Sequence, residues 1–210
     1  MIEGCDTPAR DIPFVRQSKP NSCGAACLTM VYKHYGLSVT EKQVFKDVVG
    51  LDARGGKNCR TYLMCQDAIR RGFIATAFYA NNCRDTIKTC RNNDIELLVM
   101  FHQLPRSLCA HYCVVNNILP GTVLLKDPHS NNKNDRIIAY RELADLALTT
   151  GIPGDDICGN NTMIAITRKE SSSNIVCTNP ECKHFIPVID EIQDHVQKIV
   201  CPYCDSLVSL

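Results

Sequence analysis

The hydrophobic period of this chain changes near residue 72, and no other feature limits the fold as much. Before that point apolar residues recur at helical spacing. Leu28, Val31, Tyr32 and Tyr35 fall on one face of a helix predicted from Cys23 to Tyr35, capped by Asn21 or Ser22 and ended at Gly36. Thr40 and Gln43 match a capping box for a second helix through Val49, and a third runs from Thr61 to Arg71 and stops at Gly72. The Asp52–Asn58 segment between them, with Gly55 and Gly56, reads as a flexible loop.

After Gly72 the runs are short and apolar. Phe73–Tyr79, Ile95–Phe101, His111–Ile118, Thr122–Lys126 and Thr162–Arg168 read as strands, with helices near Cys83–Arg91 and Arg141–Leu148. Pro120-Gly121 suits the centre of a type II turn, which makes His111–Ile118 and Thr122–Lys126 an antiparallel pair. Helices first and strands later predict an α+β class with a largely antiparallel sheet.

Lys169-Glu170-Ser171-Ser172-Ser173-Asn174 is a polar break, read as a linker between a body at 1–168 and a tail at 175–210. A net charge of +1 favours neither nucleic acid nor membrane as a partner. The first fourteen residues lack the apolar stretch of a secretory signal, and no run is long enough to span a bilayer. Fourteen cysteines in such a chain are expected to be reduced thiols, which implies a cytoplasmic location.

The cysteines form two populations: ten up to residue 158, and two tight pairs after residue 176. Within the first, Cys23 stands at a predicted helix start, where unpaired backbone N–H groups and the helix dipole stabilise a thiolate. Gly24 lets a carbonyl approach the backbone closely. Gln17 carries a side-chain NH2 that suits a second oxyanion donor beside the Cys23 N–H. The predicted hairpin carries His111 on one strand and brings Asp127 towards it, as a general base and the residue that orients it. Cys27 and Cys113 are expected in the core, with a Cys23–Cys27 redox pair as the minor alternative.

In the tail, Cys177 and Cys182 form one knuckle and Cys201 and Cys204 another, eighteen residues apart. Four such thiolates suit structural Zn2+ in a ribbon, and a closed set of four leaves no catalytic position. His184 is the alternative to Cys182. Metal binding would supply folding energy to a tail with little core of its own. The tail is not basic, since Lys183 and Lys198 are offset by Glu181, Asp190, Glu191, Asp194 and Asp205, which favours docking of protein over nucleic acid.

The stretch from Gln17 through Cys23-Gly24 to Tyr35-Gly36 resembles the opening motif of the bacteriocin-processing peptidases, papain-like enzymes that cut leader peptides after a double glycine. His111-Tyr112-Cys113-Val114-Val115 and Asp127-Pro128 match its later motifs in order. The resemblance implies a papain-like fold over about Ile12 to Arg168, with Cys23, His111 and Asp127 catalytic and Gln17 at the oxyanion hole. The family's exporter and ATPase have no counterpart here, since no G-x-x-x-x-G-K-[ST] loop occurs. The expected activity is therefore a soluble cysteine peptidase acting on a polypeptide through a thioester, with the ribbon helping to dock it. A thiol acyltransferase or amidase, and a non-enzymatic binding module, are the alternatives.

Overall fold

A computed structural model describes residues 10, 12–52, 55–102, 110–131, 135–148, 161–170 and 172–210. Most of the polar N-terminal segment and part of the Asp52–Asn58 loop lie outside these residues.

Helix α1, Cys23–His34, is buried from Cys23 through Tyr32, on every side rather than along one stripe. The sequence Cys-Gly-Ala-Ala-Cys offers side chains small enough for neighbours to close on all faces, which the one-face expectation missed. Its N-cap Ser22 does not cap through its side chain. The hydroxyl donates to the Lys19 carbonyl at 3.0 Å and accepts from the Lys19 N–H at 3.1 Å, tightening the turn before the helix. Helix α2, Glu41–Val48, starts with the expected capping box of Thr40 and Gln43. Two short strands follow, β1 (Val49–Leu51) and β2 (Lys57–Cys59), paired antiparallel. The segment read as a plain loop is therefore the connection of a hairpin. Helix α3, Thr61–Arg70, ends where Gly72 takes φ +84°, a conformation that costs glycine little.

The rest of the body is built around one sheet. Its strands are β3 (Ile74–Ala80), β4 (Glu96–His102), β5 (Ala110–Leu119), β6 (Thr122–Lys126), β7 (Arg136–Ala139) and β8 (Thr162–Thr167). Helices α4 (Cys83–Asn92) and α5 (Tyr140–Leu148) connect them. Strand β7 was not expected from the sequence: its four residues, Arg-Ile-Ile-Ala, are too few for a periodic signal. Alternation along β5 divides two apolar layers. Tyr112 and Val114 join the layer that contains α1, whereas Cys113 and Val115 join the opposite one.

The tail does not stand apart. Strand β9, Ser172–Val176, begins inside the segment read as a linker and pairs with β10, Phe185–Ile189. After a 3-10 helix at Asp190–His195, strand β11 (Val196–Val200) pairs antiparallel with β3, and β12 (Leu207–Val208) pairs with β11. The full sheet runs β12-β11-β3-β8-β4-β5-β6-β7. Ile186, Val188, Ile189, Ile192 and Ile199 of the tail pack into the same apolar layer as body residues Phe78, Leu97 and Val99. The linker expectation fails at residues 172–174 because serine and asparagine tolerate a half-exposed strand when its partner supplies the apolar face.

Candidate active site

The β5–β6 hairpin turns at Gly121, with φ +79°, as the Pro-Gly pair requires. From the turn its register runs Leu119 opposite Thr122, Ile118 opposite Val123 and Asn117 opposite Leu124. There it slips: Val115 faces Leu125 and Val114 faces Lys126, so Asn116 is an extra residue in β5. Extended one step beyond the last pair, the shifted register sets Cys113 opposite Asp127, and their sulfur and carboxylate lie within 4.8 Å. Without the bulge Val114 would stand opposite it, and Asp127 would lie on the other face of the sheet. The bulge thus puts Asp127, Cys113 and His111 on one side.

His111 Nε2 and Asp127 Oδ1 are 2.7 Å apart, and both residues are buried. Asp127 Oδ1 also accepts from the His129 N–H at 2.9 Å, and Oδ2 lies 3.5 Å from Arg136 Nη1. With Nε2 engaged by the carboxylate, Nδ1 is left free of it, and the ring favours the thiolate of Cys23. Phe101 sets its ring edge-on to the imidazole at 6.1 Å, and the Arg136 guanidinium lies 5.2 Å over Phe101.

The electrostatics match an ion pair. Burial pushes the Cys23 thiol up, but the hydrogen bond and charge of His111, with backbone hydrogen bonds from Tyr112 and Gly24, hold it below the ordinary thiol range. Burial alone would lower His111, but its hydrogen bonds to Asp127, Cys113 and Cys23 raise it to about 12. Burial likewise acts to raise Asp127, and His111, the His129 N–H and Arg136 outweigh it to hold the carboxyl at about 2. His111 and Asp127 are thereby charged near neutral pH, and the imidazolium favours the thiolate of Cys23.

Local packing fixes these positions. Thr61, the first residue of α3, shares a 2.6 Å hydrogen bond with the Tyr112 hydroxyl, and Cys27 donates to the Tyr112 carbonyl at 3.3 Å. The Gln17 N–H donates to the Pro128 carbonyl at 3.0 Å, tying the segment before Cys23 to the segment that carries Asp127. A Cβ on Gly24 would meet Met64 Sδ at 2.6 Å and Cys59 Cβ at 2.8 Å, so this position is closed to larger residues.

The sequence-named residues are therefore not all placed alike. Cys23, His111 and Asp127 converge. The Gln17 side-chain amide donates to the Lys19 and Pro20 carbonyls at 2.8 and 3.2 Å, so both its protons are used within its own turn and are not offered to a substrate. Cys113 is buried as expected, but its sulfur also lies within 4.8 Å of a ring nitrogen of His111 and a carboxylate oxygen of Asp127. Its place two residues after His111 marks it as sharing that strand face. Nothing in the sequence marked Arg136, which follows three residues outside the described set.

In the tail, Cys177, Cys182, Cys201 and Cys204 bring four sulfurs within 4.8 Å of one another. The Sγ atoms of Cys177 and Cys204 are 3.6 Å apart, and those of Cys182 and Cys201 are 3.8 Å apart. Tetrahedral zinc with Zn–S near 2.3 Å places its sulfurs about 3.8 Å apart, so the set fits. His184 Nδ1 lies 3.3 Å from Cys182 Sγ and its ring stacks on Tyr203. It flanks the four sulfurs and does not replace one of them.

Residues 11–146 match the sequence profile of the peptidase C39 family. Over 115 residues the chain is 27% identical to the lactococcin-G-processing and transport ATP-binding protein LagD of Lactococcus lactis subsp. lactis; the match takes in 55% of this chain and 15% of that relative. Among solved structures, a double-glycine-motif protease from an AMS/PCAT transporter, determined with its leader peptide, aligns at TM-score 0.52 and 18% identity over 77% of this chain and 95% of its own. The peptidase domain of Streptococcus ComA, a bifunctional ABC transporter of a quorum-sensing pathway, gives 0.52 and 17% over 75% and 99%. A C39-like peptidase from Bacillus anthracis gives 0.55 and 11% over 76% and 96%. The match takes in both the Cys23 helix and the His111–Asp127 hairpin, and the chain belongs to the peptidase C39 family of cysteine peptidases.

Proposed function

We propose that this chain hydrolyses a peptide bond in a polypeptide, with Cys23 as nucleophile, His111 as acid and base, and Asp127 as the residue that orients the imidazole. The observation that carries the reading is the buried 2.7 Å His111–Asp127 contact, on a ring that favours the Cys23 thiolate. The Cys23 thiolate attacks the scissile carbonyl. The imidazolium of His111 then protonates the leaving amine, and a thioester remains. His111 next takes a proton from water, which attacks the thioester and releases the acid and the thiolate. The Cys23 N–H stabilises both tetrahedral oxyanions. Gln17 joins it once its amide turns from the Lys19 and Pro20 carbonyls towards the substrate.

The leader peptide bound to the structurally similar AMS/PCAT protease supports a polypeptide substrate here. In this reading the four tail cysteines hold a structural zinc, which would lock the two knuckles together. Next to them the cross-strand pair Val176 and Phe185 is 50% and 67% exposed, a surface suited to docking a polypeptide. Among the described residues no helix is long and apolar enough to cross a membrane. The eleven described cysteines form no disulfide among themselves.

The test is to compare new peptide N-termini in a polypeptide mixture after treatment with wild type or Cys23→Ala. Peptidase action predicts termini that appear only with wild type. An acylated Cys23 that passes its acyl group to an added amine without producing new termini supports an acyltransferase instead. Neither product would leave a binding module.

A further inference from the structure

We propose that His111, Cys113 and Asp127 form a second zinc site, inhibitory and superposed on the catalytic triad. The inference rests on the reading of these residues as the peptidase centre. Cys113 carries a nucleophilic group that the hydrolytic steps do not use, yet it is fully buried beside the imidazole of His111. One nitrogen of His111, the sulfur of Cys113 and one carboxylate oxygen of Asp127 lie within 4.8 Å of one another. These are nitrogen, sulfur and oxygen donors of the kinds zinc accepts, and bound to one ion they would sit about 3.3–3.7 Å apart. Small side-chain movements reach that spacing: the His111–Asp127 pair must open from 2.7 Å, and no separation in the set exceeds 4.8 Å.

Two strands impose the arrangement. Strand alternation puts Cys113 on the face of His111, and the Asn116 bulge brings Asp127 opposite Cys113. A valine or threonine at 113 would preserve the sheet but remove the third donor. Binding exchanges protons for metal: Zn2+ replaces the proton between His111 and Asp127 and the thiol proton of Cys113, and both protons pass to solvent. A metal-bound imidazole cannot deliver its proton to a leaving amine, so hydrolysis stops until the metal leaves. Zinc affinity should therefore rise with pH. The four tail thiolates fill first, and inhibition follows only when further zinc is available.

The experiment uses the full chain as Cys23→Ala, and as Cys23→Ala combined with Cys113→Ser, each titrated with Zn2+ and followed by native mass spectrometry and calorimetry. The proposal expects a second equivalent in Cys23→Ala and one equivalent in the double variant. Retention of the first equivalent together with an unchanged thermal transition shows that the double variant is folded. In proteins with Cys23 intact, zinc should inhibit wild type at a concentration more than about tenfold below that needed for Cys113→Ser, each measured against its own metal-free rate. A second equivalent that survives Cys113→Ser overturns the assignment. So does a second equivalent missing from Cys23→Ala, which would place the metal on the nucleophile. The binding arm does not depend on hydrolysis: a Cys113-dependent second zinc in a protein that cleaves nothing would refute the peptidase reading and leave this site standing.

Discussion

Asp127 reaches His111 because Asn116 is an extra residue in the opposing strand: the register slips there by one, and the 2.7 Å carboxylate–imidazole contact forms on the slipped side. The geometry of the proposed catalytic centre is thus held by a backbone irregularity as much as by the three side chains.

Deleting Asn116 removes the unpaired residue and leaves Val115 opposite Leu125 and Val114 opposite Lys126, so Asp127 should stay on the face of His111 in an unbroken ladder. The expected outcome is that the fast reaction of Cys23 with alkylating agents is retained, with strand content by circular dichroism unchanged. A deletion variant that loses the reactive thiol would show that the local bend of the bulge, and not the register alone, places the imidazole.

Replacing Asp127 by Asn keeps the shape but removes the charge and leaves an amide facing Nε2. Turnover should fall by roughly 10²–10⁴-fold. Stability should respond to pH in a defined direction. The Asp127 carboxyl is held at about 2, below its ordinary value near ~3.9, so it stabilises the fold above about pH 4, and that contribution disappears as pH falls through 2. Urea unfolding should show wild type more stable than Asp127→Asn at pH 7, with the gap narrowing through that acid window.

Gly24→Ala tests the close packing behind the nucleophile. The added methyl meets Met64 Sδ, which can move, and Cys59 Cβ, which cannot move without shifting β2. A loss of about 1–3 kcal/mol is expected in denaturant unfolding. Adding Met64→Ala should recover part of it, because space opens on one side. Lack of any recovery would show that Cys59 sets the limit.

Zinc removal should weaken more than the tail. Strand β11 is hydrogen-bonded to β3 in the main sheet, and Cys201 follows it directly. A chelator is expected to lower the single thermal transition by about 2–4 °C for each kcal/mol of metal-linked stability lost. Separate melting of the tail, with the body transition unchanged, would contradict this coupling.

Much of this was legible in the sequence where signals are local. The Thr40–Gln43 capping box, the Pro120-Gly121 turn and the helix start at Cys23 each depend on a few adjacent residues, and each appears as read. The pairing of β5 with β6 was also legible, since a tight turn dictates its partner. The bulge was not, because the strand is buried on both faces from His111 through Asn116, and a one-residue slip leaves no break in that pattern. Insertion of β11 beside β3 was hidden for another reason: pairing between residues more than a hundred apart leaves no mark on local composition. The orientation of the Gln17 amide depends on carbonyls two and three residues away, and spacing to Cys23 says nothing of it.

The measurement that bears most directly on the central claim is the rate of iodoacetamide modification at Cys23 as a function of pH, read by peptide mass mapping in wild type and His111→Ala. A thiolate held by the imidazolium predicts an inflection in wild type well below the ordinary thiol value near ~8.5. Without His111, burial remains and its opposing charge is gone, so the inflection should move to or above that value. Coincident profiles for the two proteins would contradict the account.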